Sequence, residues 1–141
     1  MTARRPALVV GWREMVSLPD IGVTNIPAKI DTGARTSALN AQVIATFDHD
    51  GTPHVRFLAR WPGHEQLCEA LVVDCRAVRS SNGELTKRYV IKTPLRIGKL
   101  TFVAEVTLAD RSDMQLPMLV GRSALRRRMV VDSGHSWLQS L

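Results

Sequence analysis

The residues best suited to chemistry in this sequence lie in the short stretch AKIDTGARTSAL, residues 28–39. One acid, Asp31, ends an apolar strand-like run and is followed by Thr32 and Gly33. Gly33 can adopt backbone angles closed to other residues and allows another segment to approach closely. Thr32 brings a hydroxyl that can hydrogen-bond across an interface. The stretch predicts a carboxylate held in a tight loop near the core.

Such a carboxylate can catalyse hydrolysis when a second carboxylate lies beside it. Two carboxylates held close together share one proton, because like charges at that distance cannot both ionise. The ionised member can take a proton from water while the protonated member supports a carbonyl oxygen. The sequence holds one Asp-Thr-Gly motif, at Asp31. A pair therefore requires a symmetric homodimer whose two motifs meet on the two-fold axis.

The plainer interpretation of Asp31 is an acid that follows a strand and caps the turn after it. A second candidate, Asp132-Ser133-Gly134, lacks the small and hydroxyl residues around Asp31 and is predicted to be a strand end whose acid pairs with a nearby arginine. The choice between a turn and a reactive acid depends on the rest of the chain.

The elements that would position Asp31 are predicted to be mostly β-strands, because short apolar and alternating runs are separated by turn residues. An opening strand covers residues 7–18, and a second, residues 22–30, leads into Asp31. Hairpins are predicted around Asp50-Gly51, around Ser81-Asn82-Gly83 and around Gly98-Lys99. Residues 123–128 have the composition of one or two helical turns near the end. The prediction is one mostly β domain over residues 1–141.

Composition and charge limit the functional classes that this protein could belong to, but they do not select one. The net charge is +6, which favours an acidic partner or only a well-solvated surface. Two cysteines, Cys68 and Cys75, are too few for a disulfide framework. We see no apolar segment that would serve as a secretion signal or membrane span. We expect a cytoplasmic protein.

Several other motifs are weak. The run His64-Glu65-Gln66-Leu67-Cys68 is one residue from a zinc-protease pattern, but it follows Pro-Gly and is predicted to be a surface loop without metal. The sequence contains no nucleophile elbow and no phosphate-binding glycine loop. No cofactor is predicted, and ATP, if involved, is bound by another protein.

Five blocks, in order, resemble the retropepsin-like aspartic proteases. The similarity is greatest to a bacterial family named ATP-dependent zinc proteases, which is often associated with ATP-grasp glutamate ligases. The blocks are GWREMVSLPD, AKIDTGARTSAL, RAVRSSNGELTKRYVI, VTLADRSDMQLPMLVGRSAL and VVDSGHSWL. The resemblance implies a closed acid-protease (retropepsin-like) barrel, mostly β, with one short C-terminal helix.

The resemblance also implies roles for individual residues. Asp31 would be the catalytic acid and Thr32 and Gly33 its cradle, and residues 80–88 would form a hairpin over the substrate. The implied substrate-binding residues are Ala34, Arg35, Ser81, Asn82, Gly83, Arg88 and Arg122. Retropepsins commonly have an acid where this chain has Arg35, and that acid pairs with the arginine corresponding to Arg122. Here another carboxylate, such as Asp113, would pair with Arg122, or the dimer contact is organised differently.

The expected function is that of an aspartic peptidase or amidohydrolase acting as a homodimer on peptide or amide bonds. Basic residues near the implied cleft, and the association with glutamate ligases, suggest acidic, glutamate-rich substrates. The alternative is a non-catalytic binding module of the same fold that recognises an ATP-grasp ligase or an acidic protein. A weaker hypothesis is nucleic-acid binding through Arg126 to Arg128, although no aromatic residues are interleaved with the basic ones.

Overall fold

A computed structural model describes residues 7–79, 83–111 and 115–140. Strands dominate it, with a 3₁₀ turn at Pro19–Ile21 and one short helix. The elements are β1 Leu8–Gly11, β2 Arg13–Leu18, β3 Val23–Ile30, β4 Ser37–His49, β5 Thr52–Trp61, β6 His64–Arg79, β7 Leu85–Ile97, β8 Leu100–Ala109, β9 Met118–Val120, α1 Arg122–Leu125 and β10 Met129–Asp132.

Eight of the described strands form one sheet in the order β2-β3-β9-β4-β5-β6-β7-β8. The sheet closes into a ring, because β8 pairs with β4 and β2 pairs with β7 at Ser17 and Arg96. The mostly β, closed architecture with one short helix is confirmed. The helix spans Arg122–Leu125 rather than residues 123–128, and the arginines after it lie in a turn.

Side chains from all around the ring fill its interior. The largest fully buried ones include Phe57, Leu18, Ile26, Leu39 and Ile91. On strands such as β5, buried residues alternate with more exposed ones, which is the period-two pattern that predicted the strands. Within the described residues, no helix is long and apolar enough to cross a membrane.

Two of the predicted turns lie in the described residues and behave as expected. Asp50 and Gly51 both have positive φ angles, 52° and 78°, between the paired residues His49 and Thr52. That geometry suits the twist of a two-residue hairpin and explains the Asp-Gly pair. The β7–β8 turn lies at Gly98 and Lys99, as predicted. Ser81 and Asn82, predicted to form the third turn, lie outside the described residues.

The opening strand was predicted to be continuous, and that prediction is wrong. It breaks at Trp12 into β1 and β2. The first piece, β1, leaves the ring and pairs in parallel with β10. Trp12 is held on both sides of its backbone, since its N–H donates to the carbonyl of His135 at 2.9 Å and its carbonyl accepts from Ile30 N–H at 2.8 Å.

A buried carboxylate explains how the chain after β10 is held against β2. Glu14 is fully buried and accepts hydrogen bonds from the backbone N–H groups of Gly11, Leu138 and Gln139. The Ser140 hydroxyl donates a fourth at 2.9 Å. Backbone donors can satisfy a buried carboxylate in place of a cation. Glu14 therefore ties residues 138–140 to the strand that precedes β3.

We predict that Glu14→Ala lowers the free energy of unfolding by about 3 kcal/mol or more, since each buried donor left without a partner costs roughly 1–3 kcal/mol. Urea denaturation of the two proteins measures the difference. Glu105→Ala, which removes an exposed carboxylate on β8, is the matched control and should change stability by less than about 0.5 kcal/mol. Equal losses in the two variants would contradict the role of Glu14.

Candidate active site

Asp31 lies at the end of β3, where the chain leaves the sheet. Its backbone N–H donates to the carbonyl of Val120 at 2.8 Å, which continues the parallel pairing of β3 with β9 by one residue. Ile30, just before it, is bonded to Trp12 on the other side. The base of the loop is thus fixed from two neighbouring segments, and the Asp31 side chain is half-buried.

The loop after Asp31 folds back on the carboxylate. Gly33 N–H donates to Asp31 Oδ1 at 2.9 Å, and Ala34 N–H makes a longer bond, 3.4 Å, to the Asp31 carbonyl. A Cβ atom on Gly33 would lie 3.2 Å from Oδ1, so the missing side chain lets the carboxylate sit close to the backbone. Thr32 and Gly33 are exposed beside it. Thr32 and Gly33 thus lie beside the carboxylate, and the cradle role that the resemblance implies for them stays a prediction.

The segment that follows β9 crosses directly against this loop. Arg122 N–H donates to the Ala34 carbonyl at 2.7 Å, and Ser123 N–H donates to the Arg35 carbonyl at 3.0 Å. The buried hydroxyl of Ser37 accepts from Gly121 N–H at 3.1 Å. Residues 31 to 37 are therefore held along their length by residues 120 to 123, which lie some ninety positions later in the chain.

Gly121 is the point of closest approach in this crossing. A Cβ atom there would lie 2.6 Å from the carbonyl carbon and oxygen of Thr36 and 2.9 Å from the Ala34 oxygen. Separations below 3 Å are closer than non-bonded atoms tolerate, so a side chain at 121 would push the two segments apart. The glycine of the MLVGR block is thus explained by the close approach of the two segments.

The side chain of Arg122 also holds the loop. Its Nη1 atom donates to the carbonyls of Thr32 at 3.3 Å and Gly33 at 3.0 Å. In the described residues Arg122 is thus bonded to backbone oxygens, and the expected pairing of Arg122 with a carboxylate stays a prediction. Asp113, the carboxylate suggested for that role, lies outside the described residues. Ala34 and Arg35 are in the same loop, and Arg35 is exposed.

The predicted hairpin over the substrate is described only in part. Its strands β6 and β7 pair out to Arg79 and Leu85, but Ser81 and Asn82 lie outside the described residues. Gly83 is exposed and has a φ of 87°. Arg88 lies on β7, directly opposite Arg76, and lines a cleft together with Lys29 and Arg111. The structure places Arg88 at that cleft and gives no contact between it and the Asp31 loop.

Residues 64–68, which nearly match a zinc-protease pattern, were predicted to form a surface loop, and that prediction is wrong. Residues 64–68 begin β6, where His64 stacks on Trp61 and Cys68 is buried between strands. Burial raises the pKa of the Cys68 thiol to about 11. Among the described residues, no three His, Cys, Asp or Glu side chains come close enough to hold a metal ion.

The second acid motif has a histidine partner rather than the arginine that was predicted. Asp132 accepts hydrogen bonds from Gly134 N–H at 3.0 Å and from His135 Nδ1 at 2.8 Å. The Gly134 N–H, and after it His135, hold the pKa of the Asp132 carboxyl below its usual value. The acid closes the turn after β10, which is the structural role expected of a strand end.

Three features of the site were not foreseen from the sequence. These are the buried Ser37 hydroxyl under Gly121, the support of Ile30 by Trp12, and the basic lining provided by Lys29 and Arg111. Each joins residues far apart in the chain, and none has a local pattern. The only available signal for the first was an unusually high density of hydroxyl residues just after the acid.

Comparison with known proteins identifies the family of this chain. A model of the RimB-like family, described as the retropepsin-like aspartic endopeptidase RimB, matches residues 9–140. Two proteins named probable alpha-L-glutamate ligase, from Shewanella halifaxensis and Shewanella pealeana, are each 38% identical to this chain over 133 residues. These matches cover 92% of this chain but only 29% of each relative, so the chain spans less than a third of their length.

A solved structure supports the same architecture. The crystal structure of a Legionella pneumophila protein of unknown function superposes with a TM-score of 0.82 at 26% sequence identity. The superposition covers 96% of this chain and all of that one. The overall fold of this chain is thus shared with another bacterial protein.

We predict that Gly121→Ala lowers the free energy of unfolding by about 1–3 kcal/mol, the usual cost of forcing an extra methyl group into a packed region. Gly134→Ala is the matched control, because a Cβ atom there meets its nearest neighbour, Asp132 Oδ1, at an ordinary 3.5 Å. Thermal and urea unfolding of both variants measure the two effects. Stability unchanged in Gly121→Ala would show that the crossing is looser than described.

Proposed function

The chain belongs to the RimB-like family of retropepsin-like aspartic endopeptidases, and on that premise we propose that it is an aspartic peptidase or amidohydrolase. It cleaves peptide or amide bonds through two Asp31 carboxylates, one from each subunit of a symmetric homodimer. Its substrates are acidic and rich in glutamate. No metal ion or ATP enters this chemistry.

The observation that carries the proposal is the way the Asp31 loop is held. Its backbone is bonded to β9, to the Gly121–Ser123 segment and to the Arg122 side chain, while the carboxylate itself stays partly exposed. A purely structural turn has no need of so many supports from distant segments. A carboxylate that must meet its counterpart at a fixed distance does need them, because small displacements of reacting groups cost large factors in rate.

The proposed reaction adds water across the amide bond. The ionised Asp31 takes a proton from a water molecule as the water oxygen bonds to the amide carbon, and the protonated Asp31 of the second copy gives its proton to the carbonyl oxygen. The resulting diol then breaks its C–N bond. The nitrogen receives a proton from the first carboxyl, and a diol hydroxyl returns one to the second. The products are a carboxylic acid and an amine, and both carboxyls regain their starting states.

The preference for acidic substrates is supported by charge. The chain carries a net charge of +6. Arg35 lies in the loop after Asp31, Arg122 begins α1 against that loop, and Lys87 and Arg88 lie on β7. A positive surface raises the local concentration of an anionic substrate and speeds its encounter. The names of the relatives, probable alpha-L-glutamate ligase, also point to glutamate. A polymer of glutamate is a suitable substrate for a hydrolase with a positively charged surface.

A second candidate function follows from the lengths of the relatives. This chain matches only 29% of proteins whose names describe a ligase, so a domain of this fold is part of a larger chain there. Such a domain can serve as a non-catalytic module that binds an ATP-grasp ligase or an acidic protein. In that case Asp31 would stay far from any second copy, and its replacement would leave binding intact.

The proposed hydrolase predicts that Asp31→Asn abolishes cleavage of poly-glutamate and of mixed peptides, with a loss of at least about 1,000-fold, since the amide of asparagine cannot accept the proton from water. Release of new amino groups measures the rate. Asp132→Asn is the matched control, because Asp132 bonds to its own turn, and it should retain activity.

Equal rates for the wild type and Asp31→Asn would remove Asp31 from the mechanism. Loss of activity on treatment with chelators alone would point to a metal instead. An acidic peptide that binds both proteins equally and is cleaved by neither would favour the binding module.

A further inference from the structure

A small basic cleft lies on the side of the ring that carries Asp31. It has a volume of about 240 Å³, and its walls include Lys29, Arg88, Arg111, Gln115, Leu116 and Leu119. Pockets for drug-sized ligands usually have about 300–1,000 Å³. This one lies below that range and has room for a single side chain of a peptide.

Lys29 links the cleft to the proposed catalytic acid. Ala28 and Ile30 on β3 are buried in the ring, so the intervening Lys29 and the following Asp31 lie on the opposite face. Two residues along a strand are separated by about 6.6 Å. An extended substrate has the same repeat, so a side chain entering the cleft would belong to a residue at or next to the bond held by Asp31.

The other two cations come from different elements and are set in place by the fold. Arg88 projects from β7, and its direct cross-strand neighbour Arg76 is bonded to Asp74 at 2.9 Å. Like charges placed opposite each other oppose strand pairing unless something compensates them. Arg111 follows β8, where its backbone N–H donates to Asn40 Oδ1 at 3.1 Å, which fixes the turn that carries it.

The remaining walls of the cleft are suited to an acidic side chain with an apolar stem. Leu116 and Leu119 offer surface for methylene groups, while Lys29 and Arg88 offer charged donors. The described residues that line the cleft include no carboxylate. Hydrogen bonds from cations to a carboxylate are about twice as strong as neutral ones, and a partly buried site strengthens them further.

We propose that this cleft is the subsite that selects the substrate, and that it takes the carboxylate-bearing side chain of a residue beside the scissile bond. The inference rests on the proposed peptidase function and assigns its preference for acidic substrates to Lys29 and Arg88. The surface charge of the protein as a whole then affects only how fast the substrate arrives.

The test compares two peptides that differ only in having glutamate or glutamine beside the cleaved bond. In the wild type the glutamate peptide should have the higher kcat/KM. Lys29→Met and Arg88→Met should each reduce this preference by about 10- to 100-fold, the effect expected of losing one charge-assisted hydrogen bond. Lys99→Met, in the exposed β7–β8 turn, removes the same charge elsewhere and should leave the preference unchanged.

A second measurement separates the subsite from catalysis. Asp31→Asn protein is titrated with both peptides, alone and in combination with Arg88→Met. Tighter binding of the glutamate peptide that disappears with Arg88→Met supports the subsite even if the wild type cleaves nothing, in which case only the hydrolase proposal fails. A wild type that cleaves both peptides equally, or a preference lost equally in Lys99→Met, would overturn the subsite and leave the hydrolase standing.

Discussion

The crossing of the Gly121–Ser123 segment against the Asp31 loop is the constraint on which the site depends. The two segments approach so closely that position 121 has no room for a Cβ atom. In return, backbone N–H groups of residues 121–123 donate to the carbonyls of Ala34 and Arg35 and to the Ser37 hydroxyl, and the Arg122 side chain donates to carbonyls of the loop. An acid carried by this loop is held by segments from the opposite end of the sequence. Its position is therefore a property of the closed sheet and not of a local turn.

A second support reaches the loop from the other side. Glu14 gathers residues 138–140 against β2, and the carbonyl of His135 holds Trp12, which in turn bonds to Ile30. The buried carboxylate and the proposed catalytic one have opposite surroundings. Glu14 is enclosed and bonded by four donors, whereas Asp31 is half-buried and bonded by Gly33 on one oxygen. Glu14 therefore organises the structure, whereas Asp31 keeps the exposure that the proposed catalytic role requires.

Local features of the sequence were enough to predict the strands and the acid loop. Alternating apolar residues marked β3 to β8, and Asp50-Gly51 marked a hairpin because both positions require positive φ. The break at Trp12, the burial of Glu14 and the cleft lined by Lys29 and Arg111 could not be predicted in this way. They arise from contacts between residues about 100 positions apart, and such contacts leave no periodic signal in the chain. The bonds from Arg122 to the Thr32 and Gly33 carbonyls were not predicted for a related reason, since reasoning based on side-chain types does not consider backbone carbonyls.

The central claim is that each active centre contains two Asp31 side chains, one from each of two chains. It is tested most directly by mixing wild type with Asp31→Asn at constant total concentration, letting the subunits exchange, and measuring the hydrolysis rate against the wild-type fraction. Only dimers of two wild-type chains keep both carboxylates, so the account predicts a rate proportional to the square of that fraction. A rate that falls in direct proportion to the fraction would show that one chain suffices and would contradict the shared site.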